Sequence, residues 1–246
     1  MDNSMKLREC IILVGGQGTR LRSVVSDIPK PMADINGKPF LEYLIYFLHT
    51  QGCNHVVLSV GYKHEIIIDY FGGRYFGMKL DYAIENEPLG TGGGIKNSLD
   101  FISQDDFFLL NGDSFFNVDL DALANFYFYK KSVITLSVKE VQQTDRYGTL
   151  ELEHDRVIRF NEKQKVEKAI INGGVYVVSK SVFNDDQFKT KFSFEKDILE
   201  KKTDDIPIYA LSFGGYFIDI GIPEDYKKAQ TELPLQLQLE NREQNK

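Results

Sequence analysis

The sequence predicts an α/β fold: a mostly parallel, mixed sheet flanked by helices, with a small antiparallel annex in its second half. Three observations carry this. Short apolar runs alternate with helical stretches through the first 140 or so residues, the loops between them are short, and from Tyr147 the texture changes to closely spaced strand-like segments. The run "ECIILV" (9–14) reads as a buried strand that opens onto a glycine loop. Residues 40–51 set Leu41, Leu44, Ile45 and Leu48 on one face at helical spacing. A strand at 55–60, a helix at 65–71, a strand at 79–84, a helix at 93–99 and a strand at 106–110 follow. A helix at 120–130 and a strand at 132–138 complete the alternation. "TLELEHDRVIRF" then reads as a hairpin turning at His154-Asp155, and 169–178 as a further strand. The tail "LPLQLQLENREQNK" alternates Leu and Gln before turning polar, and reads as a docking segment or a frayed end.

Composition narrows the classes of function. A chain of 246 residues with 42% hydrophobic content can bury a sizeable core. No apolar run approaches the roughly 20 residues that cross a bilayer, so no membrane association is expected. The start, "MDNSMKLREC", has no apolar core behind its charges and does not read as a secretory signal. Cys10 and Cys53 form no C-x-x-C pair and sit in or beside apolar segments, which fits buried, reduced thiols and a cytoplasmic protein. The net charge of −7 argues against a nucleic-acid partner.

In an open parallel sheet, ligands bind beyond the carboxyl ends of the strands. The residues that follow the first strand are Gly15, Gly16 and Gly18, then Arg20 and Lys30. Residues 15–40 hold four basic and two acidic side chains, a local excess of +2 in an acidic chain. Glycine lets a ligand approach backbone N–H groups closely, so this loop points to a polyphosphate; a tight turn with solvated charges would account for the spacing too. It is not a Walker A loop, since no Lys-Ser or Lys-Thr stands in place. It lacks the third glycine of a dinucleotide fingerprint, which disfavours a nicotinamide-dependent oxidoreductase.

"GGQGTRLRSVVSDIPKPM" resembles the signature of the sugar-1-phosphate nucleotidylyltransferases. The similarity runs on, in family order, through "EPLGTGG", "LNGD", "FNEK", "NGGVY" and "FIDIGIPEDY". Within that family, the first loop with "NGKPFLEYLI" is most similar to the branch that guanylylates D-glycero-D-manno-heptose 1-phosphate. The resemblance implies a Rossmann-like, GT-A-like nucleotidyltransferase fold over 1–246. Residues 1–140 would form the nucleotide-binding part, 141–231 the sugar-binding part and 232–246 a tail. The reaction implied joins an NTP, GTP favoured, to a sugar 1-phosphate, with release of pyrophosphate. The β-helix extension of some relatives is not expected, because no hexapeptide repeats occur. A homo-oligomer is compatible with the family.

The chemistry suits the residues. An anionic phosphate attacks another polyanion, so alignment and charge stabilisation matter more than a protein nucleophile. The resemblance gives Arg20 and Lys30 to the triphosphate and Lys163 to the sugar phosphate. It assigns Asp113 and Asp219 as Mg²⁺ ligands, consistent with the preference of that ion for oxygen; a turn residue would explain either Asp taken alone. Arg20, Lys30, Asp113 and Lys163 are thus the expected catalytic set. Leu13, Gly15, Gly16, Gly18 and Thr19 are expected around the nucleotide, together with Glu85, Gly90 and Thr91. A carboxylate at Glu85 can accept from both N1–H and the 2-amino group of guanine, whereas Gly90 would leave room for the ring. Gly148, Glu162, Asn172, Gly173 and Glu195 are expected around the sugar. Two other readings compete. A glycosyltransferase could use Asp119-x-Asp121, which also reads as a helix cap; a non-catalytic nucleotide-sugar binder would have no need of Arg20, Lys30, Asp113, Lys163 and Asp219 together.

Overall fold

The fold is that of a computed structural model, and residues 6–16, 28–144, 147–161, 166–184, 188, 190–201, 203 and 205–237 are described. In chain order the strands and helices are β1 (Glu9–Leu13), β2 (Asp34–Ile35), β3 (Lys38–Pro39), α1 (Phe40–Thr50), β4 (His55–Val60), α2 (His64–Phe71), β5 (Arg74–Tyr75), β6 (Met78–Ile84) and α3 (Gly90–Ser98). They continue with β7 (Asp106–Asn111), β8 (Ser114–Phe116), α4 (Leu120–Lys130), β9 (Ile134–Thr144), β10 (Thr149–Glu153), β11 (Arg156–Asn161), β12 (Val166–Ser179), β13 (Ile208–Ser212), β14 (Phe217–Asp219) and α5 (Pro223–Leu237).

Among the described residues, ten strands form one sheet in the order β10-β11-β13-β9-β12-β7-β1-β4-β6-β5. The strands β7, β1, β4 and β6 run parallel side by side, with β5 beyond them at one edge. The antiparallel annex is realised as a continuation of that sheet: β12 pairs with β7 on one side and with β9 on the other. The hairpin β10–β11 turns at His154, whose φ of 57° is the left-handed geometry of such a turn.

Neighbouring residues along the central strands divide between two cores. Ile12, Val56 and Phe108 face one cluster, with Phe40, Leu44 and Phe47 of α1, Leu123 of α4 and Leu233 of α5. Ile11, Val57 and Phe107 face the other, with Ile95 of α3, Tyr176 and Phe194. A sheet covered on both faces needs apolar residues at successive positions, which is why its strands read as continuous apolar runs. Cys10 and Cys53 are both buried free thiols, in no disulfide. Burial pushes the Cys53 thiol up to about 12, so neither suits a nucleophile's role.

Three local outcomes differ from the sequence reading. The helix expected at 93–99 starts at Gly90, because the space its glycines leave is filled by another segment. β9 extends to Thr144, its length set by the ladder with β12. Of the two readings of the tail, its beginning is not the frayed one: Leu233 and Pro234 are buried in the last turns of α5, with Leu237 packed one turn beyond Leu233. Residues 238–246 lie outside the described residues. Asp119 is the cap that its position suggested: its side chain accepts from the Ala122 N–H at 2.9 Å.

Candidate active site

The carboxyl ends of β1, β4, β6 and β7 lie along one edge of the sheet, and of the expected residues Leu13, Gly15, Lys30, Glu85, Asp113 and Asp219 lie close to one another or to those strand ends. Leu13 ends β1, and its carbonyl accepts from the Gly112 N–H at 2.9 Å. This holds the first glycine loop beside the turn that carries Asp113. A Cβ at Gly112 would sit 2.3 Å from that carbonyl oxygen, so the approach requires glycine.

Lys30 opens a 3-10 turn, Lys30–Met32, anchored by the buried Pro31 and Met32. Its Nζ lies 2.7 Å from Asp113 Oδ2 and 3.8 Å from Asp219 Oδ1. The two aspartates come from distant parts of the chain and are joined by local backbone pairing. β14 pairs with β8 so that Asp219 faces Ser114, and the Ile220 N–H donates to the Asp113 carbonyl at 3.0 Å. Asp219 is oriented by the Gly221 N–H at 2.7 Å. Both carboxylates therefore already gather one cation, the Lys30 ammonium. Among the described residues no group of three or more His, Cys, Asp or Glu could hold an ion unaided. Two neighbouring carboxylates fit magnesium, which usually takes its remaining ligands from substrate phosphates and water.

Glu85 follows β6, and its carboxylate is wedged between the first glycine loop and α3. Cβ atoms at Gly15 and Gly94 would lie 3.1 and 2.7 Å from its Oε1. Ser59 Oγ donates to Oε1 at 3.1 Å and the Leu89 N–H to Oε2 at 3.0 Å. Each carboxylate oxygen can accept more than one bond, so acceptor capacity remains on both. Ser59, a buried hydroxyl within the apolar β4, belongs to none of the motifs and escapes the sequence reading. A polar residue in "HVVLSV" just before the strand end is the signal that could have found it.

Gly90, with φ +74°, has a reason to be glycine apart from any ligand: its Cβ would sit 2.5 Å from the Phe192 carbonyl oxygen. Thr91 Oγ1 donates to Glu195 Oε2 at 2.5 Å, and Ser193 Oγ donates to the same oxygen at 3.0 Å. Asn172 Nδ2 donates to Tyr176 Oη at 2.7 Å, and the Gly174 N–H returns to Asn172 Oδ1 at 3.0 Å. The pairing with β9 is irregular between Asn172 and Tyr176, which turns this stretch out of the regular ladder. Burial, reinforced by the nearby negative Glu195, raises the Tyr176 phenol far above its ordinary range, so it stays neutral. At Gly173 the close approach comes from the Phe116 ring, 2.3 Å from where a Cβ would lie, with Ser137 Oγ at 2.8 Å. Gly148 lies beside the Asn161 carbonyl, 3.1 Å from where its Cβ would be. Gly18, Thr19, Arg20, Glu162 and Lys163 lie outside the described residues.

A family described as Nucleotidyl transferase matches residues 9–235. The chain is 49% identical over 225 residues to the D-glycero-alpha-D-manno-heptose 1-phosphate guanylyltransferase of Aneurinibacillus thermoaerophilus, covering 92% of this chain and 98% of that one. A protein of the same name from Campylobacter jejuni is 48% identical, with 89% and 96% covered. Among solved structures, HddC from Yersinia pseudotuberculosis complexed with GMP-PN superposes with a TM-score of 0.82 at 42% identity, covering 91% and 98% of the two chains. The inositol-1-phosphate CTP transferase of T. maritima, at 22% identity and a TM-score of 0.77, shares the fold.

Proposed function

The chain belongs to the nucleotidyl transferase family, and from that premise we propose that it transfers the guanylyl group of GTP to D-glycero-alpha-D-manno-heptose 1-phosphate. The products are GDP-heptose and pyrophosphate. The observation that carries the reading is the Lys30 ammonium held between Asp113 and Asp219 beside the first glycine loop. A phosphate oxygen of the sugar 1-phosphate attacks the α-phosphorus of the NTP, and the bond from that phosphorus to the bridging oxygen of the β-phosphate breaks. The chain's work is to bring two anions together and to stabilise the charge that leaves.

Asp113 and Asp219 would hold Mg²⁺, which when bound neutralises the triphosphate and the departing pyrophosphate. Lys30 supplies fixed positive charge on the same side, and Arg20 and Lys163 extend it to the triphosphate and the sugar phosphate respectively. Gly15 and Gly16, with Gly18 and Thr19, lend backbone donors to the phosphates. Glu85, pre-oriented by Ser59 and Leu89, accepts from the guanine N1–H and 2-amino group, a readout of roughly 1–3 kcal/mol by analogy with base-edge recognition. Asn172 and Glu195, with Glu162, face the sugar hydroxyls. The 48–49% identity to two heptose 1-phosphate guanylyltransferases supports the choice of both substrates. No described helix is long and apolar enough to cross a membrane, and we assign the enzyme to the cytoplasm, where GTP is available.

Pyrophosphate release over a matrix of the four NTPs and dTTP against several sugar 1-phosphates, with and without magnesium, tests this. Turnover is expected with GTP and the heptose phosphate in the presence of the ion. A different preferred pair would keep the reaction and change the substrate; no turnover with any pair would sink the proposal.

A further inference from the structure

The glycines of "LGTGG" serve a purpose that their sequence does not reveal. A Cβ at Gly92 would lie 2.3 Å from the Phe192 ring, and one at Gly93 would lie 2.5 Å from the Thr190 carbonyl oxygen. With Gly90 against the Phe192 carbonyl, three glycines at the start of α3 form a seat for residues 190–192. Main-chain bonds fasten the seat: the Phe192 N–H donates to the Leu89 carbonyl at 3.0 Å, and the Gly92 N–H to the Phe192 carbonyl at 3.1 Å. The nucleotide-side helix and the segment leading to Glu195 are therefore one packed unit.

Thr91 sits at the centre of that unit and is committed to the sugar side. Its single hydroxyl proton is spent on Glu195, and its oxygen accepts from the Phe194 N–H at 2.9 Å. The Glu195 carboxylate is thereby fixed through Oε2, whereas Oε1 has no hydrogen-bond partner among the described residues. The ring of Phe194 packs edge-on against Tyr176 at 5.5 Å, and Tyr176 receives the Asn172 amide. Asn172 and Glu195 thus flank one buried aromatic pair, each oriented by a neutral hydroxyl.

We propose that Thr91 is a positioning residue for the sugar phosphate substrate: it holds Glu195 in the rotamer that accepts from a sugar hydroxyl, and it does not contact the nucleotide through its side chain. This rests on the nucleotidyl-transfer reading above. Thr91→Val keeps the shape and removes the hydroxyl, whereas Thr91→Ser keeps the hydroxyl. Steady-state kinetics, with GTP and the sugar 1-phosphate varied separately, should show the KM for the sugar phosphate raised about tenfold or more in Thr91→Val. The KM for GTP should stay within about twofold, and Thr91→Ser should restore both. A GTP-side rise, equal rises on both sides, no change, or failure of Ser to rescue would each overturn the assignment. If Thr91→Val does not fold, Glu195→Gln carries the same test: a rise confined to the sugar KM is expected, and a rise in the GTP KM overturns the proposal. A wild-type chain inactive on every substrate pair would instead defeat the function itself, and Thr91's role with it.

Discussion

At Lys30, one ammonium bridges two carboxylates that the proposed reaction needs for a divalent cation. The Lys30 side chain is only 12% exposed, so solvent screens the pair with Asp113 less than it would an open surface pair. Two cations cannot share the same carboxylate oxygens without strong repulsion at these distances. Removing the lysine charge therefore favours the metal in the absence of nucleotide. Lys30→Met should raise the affinity for Mn²⁺, followed by electron paramagnetic resonance without NTP, by at least about tenfold, or ~1.4 kcal/mol. Adding Asp113→Asn to that variant should abolish the gain. Unchanged Mn²⁺ binding in Lys30→Met would mean that the ammonium and the ion do not compete. Asp113 and Asp219 are legible in the sequence because each is a charged residue beside a glycine or a strand end, and Lys30 because it stands between two prolines, all three inside recognisable motifs. The partners that orient the site are not legible. Nothing in the spacing of Ser59 or Thr91 says which carboxylate will lie above it once four strands and a helix have packed.

Elements make the same point through α3. Its periodicity is weak, and three consecutive glycines hide its first turn from any propensity argument, since glycine in a helix costs about 1 kcal/mol relative to alanine. The helix forms there because residues 190–192 fill the vacant side-chain positions, a long-range contact invisible to local pattern. The strand ends of β9 and β12 escape the sequence for a similar reason: pairing, more than residue type, fixes where a strand stops. By contrast α4 is legible to the residue, because Asp119 caps one end and Lys131, at φ 51°, closes the other. Gly92→Ala should destabilise the fold by roughly 1–3 kcal/mol, the usual range for overpacking, because the new methyl meets the Phe192 ring. Gly73→Ala, where nothing lies within 4 Å of the added carbon, should change stability by less than about 0.5 kcal/mol. Urea unfolding of the two variants side by side checks this. Equal effects would mean that the seat is not tightly packed.

Across the whole molecule the sheet has two chemically different ends. The carboxyl edge holds the proposed phosphate site; the amino edge is tied by a polar cluster remote from it. There His55 Nδ1 lies 2.8 Å from Glu9 Oε1 and Nε2 lies 2.8 Å from Asp81 Oδ2, so the ring bridges the two carboxylates. Glu9 Oε2 also accepts from the backbone N–H groups of Ser103 and Gln104, each at 2.7 Å, and so ties β1 to the loop before β7. Burial by itself would raise the Glu9 carboxyl, but the His55, Gln104 and Ser103 hydrogen bonds outweigh it and hold Glu9 below the usual carboxylate range. Asp81 is likewise lowered: burial is outweighed by Lys79 and His55. A depressed folded-state pKa gives stability that is present above the unfolded value, near 4.5 for Glu9, and is lost as pH falls through the folded value. Stability should therefore drop steeply on acidification below about pH 5. Glu9→Gln should lower stability at neutral pH by roughly 1–3 kcal/mol, since it leaves buried donors poorly matched, and should flatten that acid limb. Because β1 separates this cluster from the site by about 3.3 Å per residue, kcat/KM of the folded variant should stay within about twofold of wild type. Urea midpoints measured from pH 3 to 8, with pyrophosphate release at pH 7, separate the two effects. An acid limb as steep in Glu9→Gln as in wild type would place the pH sensitivity elsewhere, in other carboxylates of the chain.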